Sequence, residues 1–349
     1  MIPKTPMPAL ELDKLSEDIL HHIHSLVPLR DAARAACVSR KFLRSWRCFP
    51  NLTLNWETLG LNMNEGTSYE RAKKLTNGIH HILENHSGTG VKTLKLQVRP
   101  CGDVITANHL DSWLQPVIKS GIIELALDLP WNHSLEFKFS CSLISSAATS
   151  LQSFSLSYCS FHPNLTIGCL RNLTNVCLIL VYITEEELGC FFSCTISLEK
   201  LEVNQCDDIT FLKIPSYLQK LSVLRVFLCR NLKIIEINAP KVSTFLFRGP
   251  RIKISISNSY QLKSVTMNGQ CYYGMYQYAL TKLHSIASNL QTLNLVSAKE
   301  AFNLPVSPNK FLHLRNLGIS SCGMANFDFF FLWFLFSKLA LHLKVSSYR

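Results

Sequence analysis

The chain has 349 residues, 47% of them hydrophobic and 17% charged, enough apolar material for a sizeable core and too little charge for a largely disordered protein. Its formal net charge is +11, which attracts polyanions only when it is concentrated. Lys and Arg are instead scattered, with pairs such as Arg40-Lys41 and Lys73-Lys74 the densest spots, so nucleic acid is not an expected partner.

Residues 1–14 (MIPKTPMPALELDK) have no apolar run of the kind a secretory signal needs, and are taken as an N-terminal tail. A first module is expected over residues 15–50. Ser16 is placed to cap a helix whose first turn carries Glu17 and Asp18, where the macrodipole favours acids. Leu15, Ile19, Leu20, Ile23 and Leu26 recur at helical spacing on one face, and Pro28 ends the helix. Residues 31–36 and 38–47 read as two further short helices, the last carrying Phe42, Leu43 and Trp46. Three such helices make a very small core, which predicts that a partner covers part of the apolar face.

Residues 51–90 are expected as a linker with one helix. There Thr67 and Glu70 match a capping box, and Ala72, Leu75, Ile79, Ile82 and Leu83 form the apolar stripe.

From Val91 an L-x-x-L-x-L pattern repeats. It runs Val91/Leu94/Leu96, Ile122/Leu125/Leu127, Leu151/Phe154/Leu156, Leu173/Val176/Leu178 and Leu198/Leu201/Val203. It continues as Leu221/Leu224/Val226, Val242/Phe245/Phe247, Leu262/Val265/Met267, Leu290/Leu293/Leu295 and Leu314/Leu317/Ile319. Successive starts lie 20 to 31 residues apart, mostly within the period of leucine-rich repeats. Each triplet predicts a short strand whose inward side chains stack on the next repeat. Cys159, Cys206, Cys229 and Cys322 stand eight places after the first apolar residue, the Asn/Cys position of that consensus. Thr184 with Glu187 predicts a helix through Leu188, Phe191 and Phe192, and Ala279, Leu280, Leu283 and Ile286 form another helical stripe. The solenoid is expected over residues 91–326. Residues 327–349 (from Phe327, FDFFFLWFLFSKLAL) are aromatic and periodless, and are expected to be an atypical tail outside the array, an abbreviated or mis-spliced final repeat.

The run LSEDILHHIHSLVPLRDAARAACVSRKFLRSW, from Leu15 to Trp46, resembles the F-box of plant F-box proteins with leucine-rich repeats. Leu15, Asp18, Ile19 and Leu20, then Val27-Pro28-Leu29-Arg30-Asp31, then Val38-Ser39-Arg40 carry the likeness. Ser16 stands where that family has proline, and Phe42 where it often has tryptophan. The resemblance implies a three-helix F-box ahead of an α/β leucine-rich-repeat solenoid. It also implies a role as substrate receptor of a Skp–cullin–F-box ubiquitin ligase, in the nucleus or cytoplasm. Leu15, Ile19, Leu20, Ile23, Leu26, Pro28, Leu29 and Val38 would then contact a Skp-type adaptor and, through it, a cullin. The repeats would hold a protein target of unknown identity, with Lys200, Arg225, Lys263 and Arg315 as candidate cations on the concave surface, suited to an acidic or phosphorylated target; the plainer view makes them solvated positions of a basic protein.

Catalytic signatures are missing: no G-x-x-x-x-G-K-[S/T] loop, no dinucleotide fingerprint and no G-x-S-x-G elbow occurs. Cys190 and Cys194 lack a second pair to complete a metal site. The histidines His21, His22 and His24 are read as surface residues, and Glu185-Glu186-Glu187 as the solvated first turn of a helix. No enzyme, cofactor or metal is therefore expected. The 13 cysteines, an odd number, point to free thiols in a reducing compartment, where five Asn-X-Ser/Thr sequons are chance. The most apolar stretch, residues 329–336, is far short of the ~20 residues that cross a bilayer. The competing reading is a plain leucine-rich interaction scaffold with a degenerate F-box.

Overall fold

The computed structural model describes residues 15–322, apart from 28, 38, 63, 88–89, 100–103, 120, 131–136, 165–167, 258, 270–274, 284–285 and 299–310, together with 344–345. The chain divides into two compact units, residues 1–135 and 136–349.

The first unit opens with three helices, α1 (Glu17–Leu26), α2 (Leu29–Ala36) and α3 (Arg40–Arg47). Ser16 caps α1, its hydroxyl accepting the Ile19 N–H at 3.5 Å. Ser39 caps α3 by accepting the N–H groups of Lys41 and Phe42 at 3.2 and 3.4 Å. Because the cap is Ser39, α3 starts two residues later than position 38, where periodicity alone put it, and α2 begins at Leu29 rather than 31. Leu20, Ala32, Ala36, Phe42 and Trp46 form the core of the three helices.

What looked like a linker starts with a strand, β1 (Asn51–Leu54), before α4 (Ser68–Asn85). β2 (Thr93–Gln97) pairs parallel with β1, and after α5 (Ala107–Ile118), β3 (Glu124–Asp128) pairs parallel with β2. Register explains the strand. Phe49 is the first apolar position of a further repeat and Leu52 and Leu54 are its fourth and sixth, all buried. The array thus begins inside the segment expected to link it. Thr67 and Glu70 form the predicted capping box on α4.

The second unit is built on one long parallel sheet. In chain order it contains β4 (Lys138–Phe139), α6 (Cys141–Ser146), β5 (Ser153–Phe161), β6 (Asn175–Tyr182), α7 (Glu185–Cys194), β7 (Lys200–Asn204), β8 (Phe211–Ile214), β9 (Val223–Phe227) and β10 (Ile234–Ile237). There follow β11 (Thr244–Arg248), β12 (Lys253–Ile256), β13 (Ser264–Gly269), α8 (Met275–Tyr278) with a π-helical turn at Ala279–Leu283, β14 (Thr292–Ala298), β15 (Asn316–Cys322) and β16 (Lys344–Val345). The repeat strands lie in the order β5-β6-β7-β9-β11-β13-β14-β15-β16, with β4 beside β5. β8, β10 and β12 form a separate three-stranded parallel sheet.

A backbone ladder holds the repeats in step. The carbonyl of the second residue in one repeat accepts the N–H groups of the second and third residues of the next. Thr174 thus takes Glu199 and Lys200 at 2.8 and 2.9 Å, Ser222 takes Ser243 and Thr244, and Lys263 takes Gln291 and Thr292. In four successive repeats the eighth residue has positive φ: Tyr158 (61°), Leu180 (51°), Gln205 (53°) and Leu228 (53°). This left-handed step turns the chain out of the strand. The ninth residue then closes the turn. The Cys206 thiol donates to the Leu178 and Asn204 carbonyls at 3.7 and 3.6 Å, and Cys229 to Val203 and Phe227 at 3.9 and 3.5 Å.

Within the apolar tail expected outside the array, Lys344 and Val345 pair parallel with Asn316 and Leu317. The sheet therefore continues past the boundary drawn at 326, and the aromatic run before it lies outside the described residues.

Candidate functional site

The apolar face of α1 does two jobs. Leu20 is fully buried and Leu29 is 8% exposed, so both pack the three-helix core and are removed from the set expected to meet an adaptor. Helix periodicity places Leu20 and Ile19 at adjacent angles, and only the helices packed on α1 decide which of them is covered. Ile19 is 47% exposed and Leu26 is 70% exposed, with Leu15 and Ile23 half-buried beside them. Val27, outside the expected set, is 39% exposed; its place before Pro28 at the helix end is the signal the sequence carries for it. Pro28 and Val38 lie outside the described residues.

His24 was expected on the surface and is instead buried, four residues after Leu20 on the same helical face. Its ring meets Phe42 edge-on at 5.0 Å and Phe49 at 6.1 Å. Burial, with His21 nearby, holds its pKa below the ordinary value.

The three helices are tied to the first repeat by hydrogen bonds. His86, at the end of α4, places Nε2 3.0 Å from the Phe49 carbonyl, and burial lowers the His86 pKa despite that contact. Ser87 donates its N–H and its hydroxyl to the Arg47 carbonyl at 2.8 and 2.9 Å. At the start of α2, Arg30 donates its N–H to Thr58 at 3.2 Å and its Nη1 to Gly60 at 3.1 Å. Gly60 has φ +61°, and a Cβ there would meet Arg30 Cδ at 3.1 Å, so this turn needs glycine.

In the second unit the side chains between the buried positions line the open face of the sheet. Lys200 is exposed at the start of β7, and Arg225 is exposed on β9. Arg225 pairs with Glu202 on the neighbouring strand at 3.4 Å, so that part of the face is charge-compensated, not simply cationic. Lys263 and Arg315 occupy the second position of their repeats, one residue before the face-lining positions of β13 and β15. They are exposed but do not belong to the alternating set with Lys200 and Arg225. Around the Arg225–Glu202 pair, Ser153, Ser155, Asn175 and Cys177 line a shallow cavity of about 130 Å³. Burial pushes the Cys177 thiol up to about 11.

Glu185, expected in a solvated first turn, is half-buried. Its carboxylate accepts the N–H groups of Thr210 and Phe211 at 2.8 and 3.0 Å, covering the exposed edge of β8. Glu187 completes the predicted capping box with Thr184 and also contacts His162 at 2.7 Å. Cys194 is buried on α7 and Cys190 half-buried. Among the described residues no group of three His, Cys, Asp or Glu side chains is arranged to hold a metal ion, and no helix is long and apolar enough to cross a membrane.

Comparison with known families covers both parts of the chain. A model described as At1g61320/AtMIF1, LRR domain, matches residues 82–343, and an F-box domain model matches residues 12–53. No curated protein matches the chain. With the F-box model on α1–α3 and the repeat model over most of the remainder, the chain belongs to the plant F-box/leucine-rich-repeat family.

Proposed function

We propose that this protein is the substrate-recognition subunit of a Skp–cullin–F-box ubiquitin ligase, acting in the nucleus or cytoplasm. F-box domains generally bind Skp-type adaptors and leucine-rich-repeat domains bind protein targets. The observation that carries the reading is the uncovered apolar group of Ile19, Leu26 and Val27 on the F-box, flanked by half-buried Leu15 and Ile23. Burying one such side chain contributes about 1.5–3 kcal/mol, so a few of them shared with an adaptor support a stable complex.

The chain itself performs no bond chemistry in this reading. It holds a target near the conjugating enzyme recruited through the cullin, which replaces a bimolecular encounter with an oriented one. The hydrogen bonds that tie Arg30 and Arg47 to the first repeat would serve that orientation. Target contact falls to the open sheet face near Lys200 and Arg225, with Lys263 and Arg315 at its margin.

The test is co-purification of the full chain with a Skp-type adaptor, beside an Ile19→Asp/Leu26→Asp variant. These positions are exposed, so the variant should keep the wild-type melting temperature and lose the adaptor. Leu20→Asp is unsuitable, because it would place a charge in the core. Folded wild-type protein that forms no complex would refute the receptor reading and leave a leucine-rich scaffold with a degenerate F-box.

A further inference from the structure

The side of the second unit opposite the open sheet face changes element type twice, from helix α7 to the strands β8, β10 and β12, and then to the helical segment of residues 275–283. A strand layer is thinner than a helix layer, so a groove opens at each step. The groove between α7 and β8 is about 730 Å³ and mixes Glu185 and Glu186 with Lys213.

The second groove is about 740 Å³ and differs in charge. Lys233, Arg251, Lys253 and Lys282 line it, all exposed, and among the described residues no carboxylate does. Its floor is apolar, with buried Leu232 and Ile254 and half-buried Ile286. Elsewhere cations of this chain lie against acids on the next strand, as in Lys95–Glu124 at 3.0 Å, Arg99–Asp128 at 3.3 Å and Arg225–Glu202 at 3.4 Å. Among the described residues no carboxylate forms an ion pair with Lys233, Arg251 or Lys253. Like charges gathered around an apolar floor are costly by themselves and become favourable when a partner supplies the opposite sign.

We propose that this groove binds an Asp/Glu-rich peptide segment of a partner protein, an apolar side chain seated on the floor and flanking carboxylates on the rim cations. An apolar centre with a charged rim is the usual anatomy of a protein contact, and the volume accommodates a few residues. The lining favours peptide over nucleic acid. Among the described lining residues the one aromatic, Tyr278, is buried and donates its hydroxyl to the Ile254 carbonyl at 3.4 Å, so it presents no ring for base stacking. The site lies off the sheet face assigned to the ligase target, and the proposal stands whether or not the receptor reading does.

The experiment is fluorescence anisotropy of a fluorescein-labelled EDELIDEE peptide titrated with the full chain. Saturable binding is expected, weakened by added salt and by replacing the central Leu-Ile of the peptide with Ser-Ser. Lys233→Glu/Lys253→Glu should weaken it roughly tenfold or more. Lys73→Glu/Lys74→Glu, an equal charge change on exposed α4 positions, should leave it within about twofold. Arg251→Glu, outside any strand, serves as a second variant should the double one fold poorly, and it too should weaken binding. Absence of saturable binding by the wild type would overturn the proposal, as would equal losses in the groove and α4 variants. Tighter, equally Lys233-dependent binding of a labelled oligothymidine would assign the groove to nucleic acid instead.

Discussion

At the residue scale, the histidines around Phe49 are the clearest case of chemistry set by neighbours. His24 packs edge-on against Phe42 and Phe49, and His86 reaches the Phe49 carbonyl from α4. Burial lowers both pKa values from 6.5. Below about pH 6.5 the unfolded chain takes up protons that the folded chain refuses. Stability is therefore complete above that pH and falls as pH drops from there toward the folded pKa values. Urea unfolding at about pH 7.5 and about pH 5.5 should show this loss in the wild type and less of it in His24→Leu; identical pH dependence in the two would remove His24 from the account. The depth of His24 was readable in principle from its four-residue spacing to Leu20. A titratable residue in a run of histidines suggests solvent, and only α3 and Phe49 close over it.

At the scale of elements, repeat length decides what returns the chain to the next strand. The starts at Leu198, Leu221, Val242 and Leu262 lie 20 to 23 residues apart, and the first three of these repeats return through the short strands β8, β10 and β12. An extended residue covers about twice the distance of a helical one, so these three repeats use strands where the longer ones fit α4, α5 or α7. Capping residues mark the helical returns, and α7 depends on Thr184 and Glu187. Thr184→Ala should lower stability by about 1 kcal/mol, read as a lowered urea midpoint with unchanged slope; an unchanged midpoint would mean that tertiary contacts alone hold the helix start. The α5 helix escaped sequence reading because its box pairs Thr106 with His109, where Glu or Gln is the usual partner, and because Pro116 lies inside it. β1 escaped because Phe49 serves both the F-box core and the first repeat.

At the scale of the whole molecule, the cysteines report on cooperativity. Cys37, Cys48 and Cys169 are exposed, whereas Cys159, Cys194, Cys206 and Cys229 are buried. Burial pushes the thiol pKa of Cys229 up to about 11 and that of Cys206 higher still, which suppresses the reactive thiolate. A disulfide reagent should modify the exposed group quickly in the native protein and the buried group only on unfolding. Backbone ladders join neighbouring repeats along the second unit, so Cys159, Cys206 and Cys229 should become reactive over one common denaturant range. Widely separated ranges would show that the repeats open piecemeal.

The sequence by itself determined the F-box and the α/β repeat class, the strand register, the Cys turn position and two of the capping boxes. Each depends on neighbours within one repeat or one helical turn, and periodicity encodes those directly. Only the tertiary structure decided that Leu20 and Leu29 are core while Ile19 and Leu26 are uncovered, that Glu202 compensates Arg225, and that Lys263 and Arg315 stand one place off the face-lining set. It also decided that Lys233, Arg251, Lys253 and Lys282 gather around one apolar groove. These depend on which segments meet across tens of residues, and the depth to which a side chain is covered belongs to that meeting rather than to the spacing along the chain.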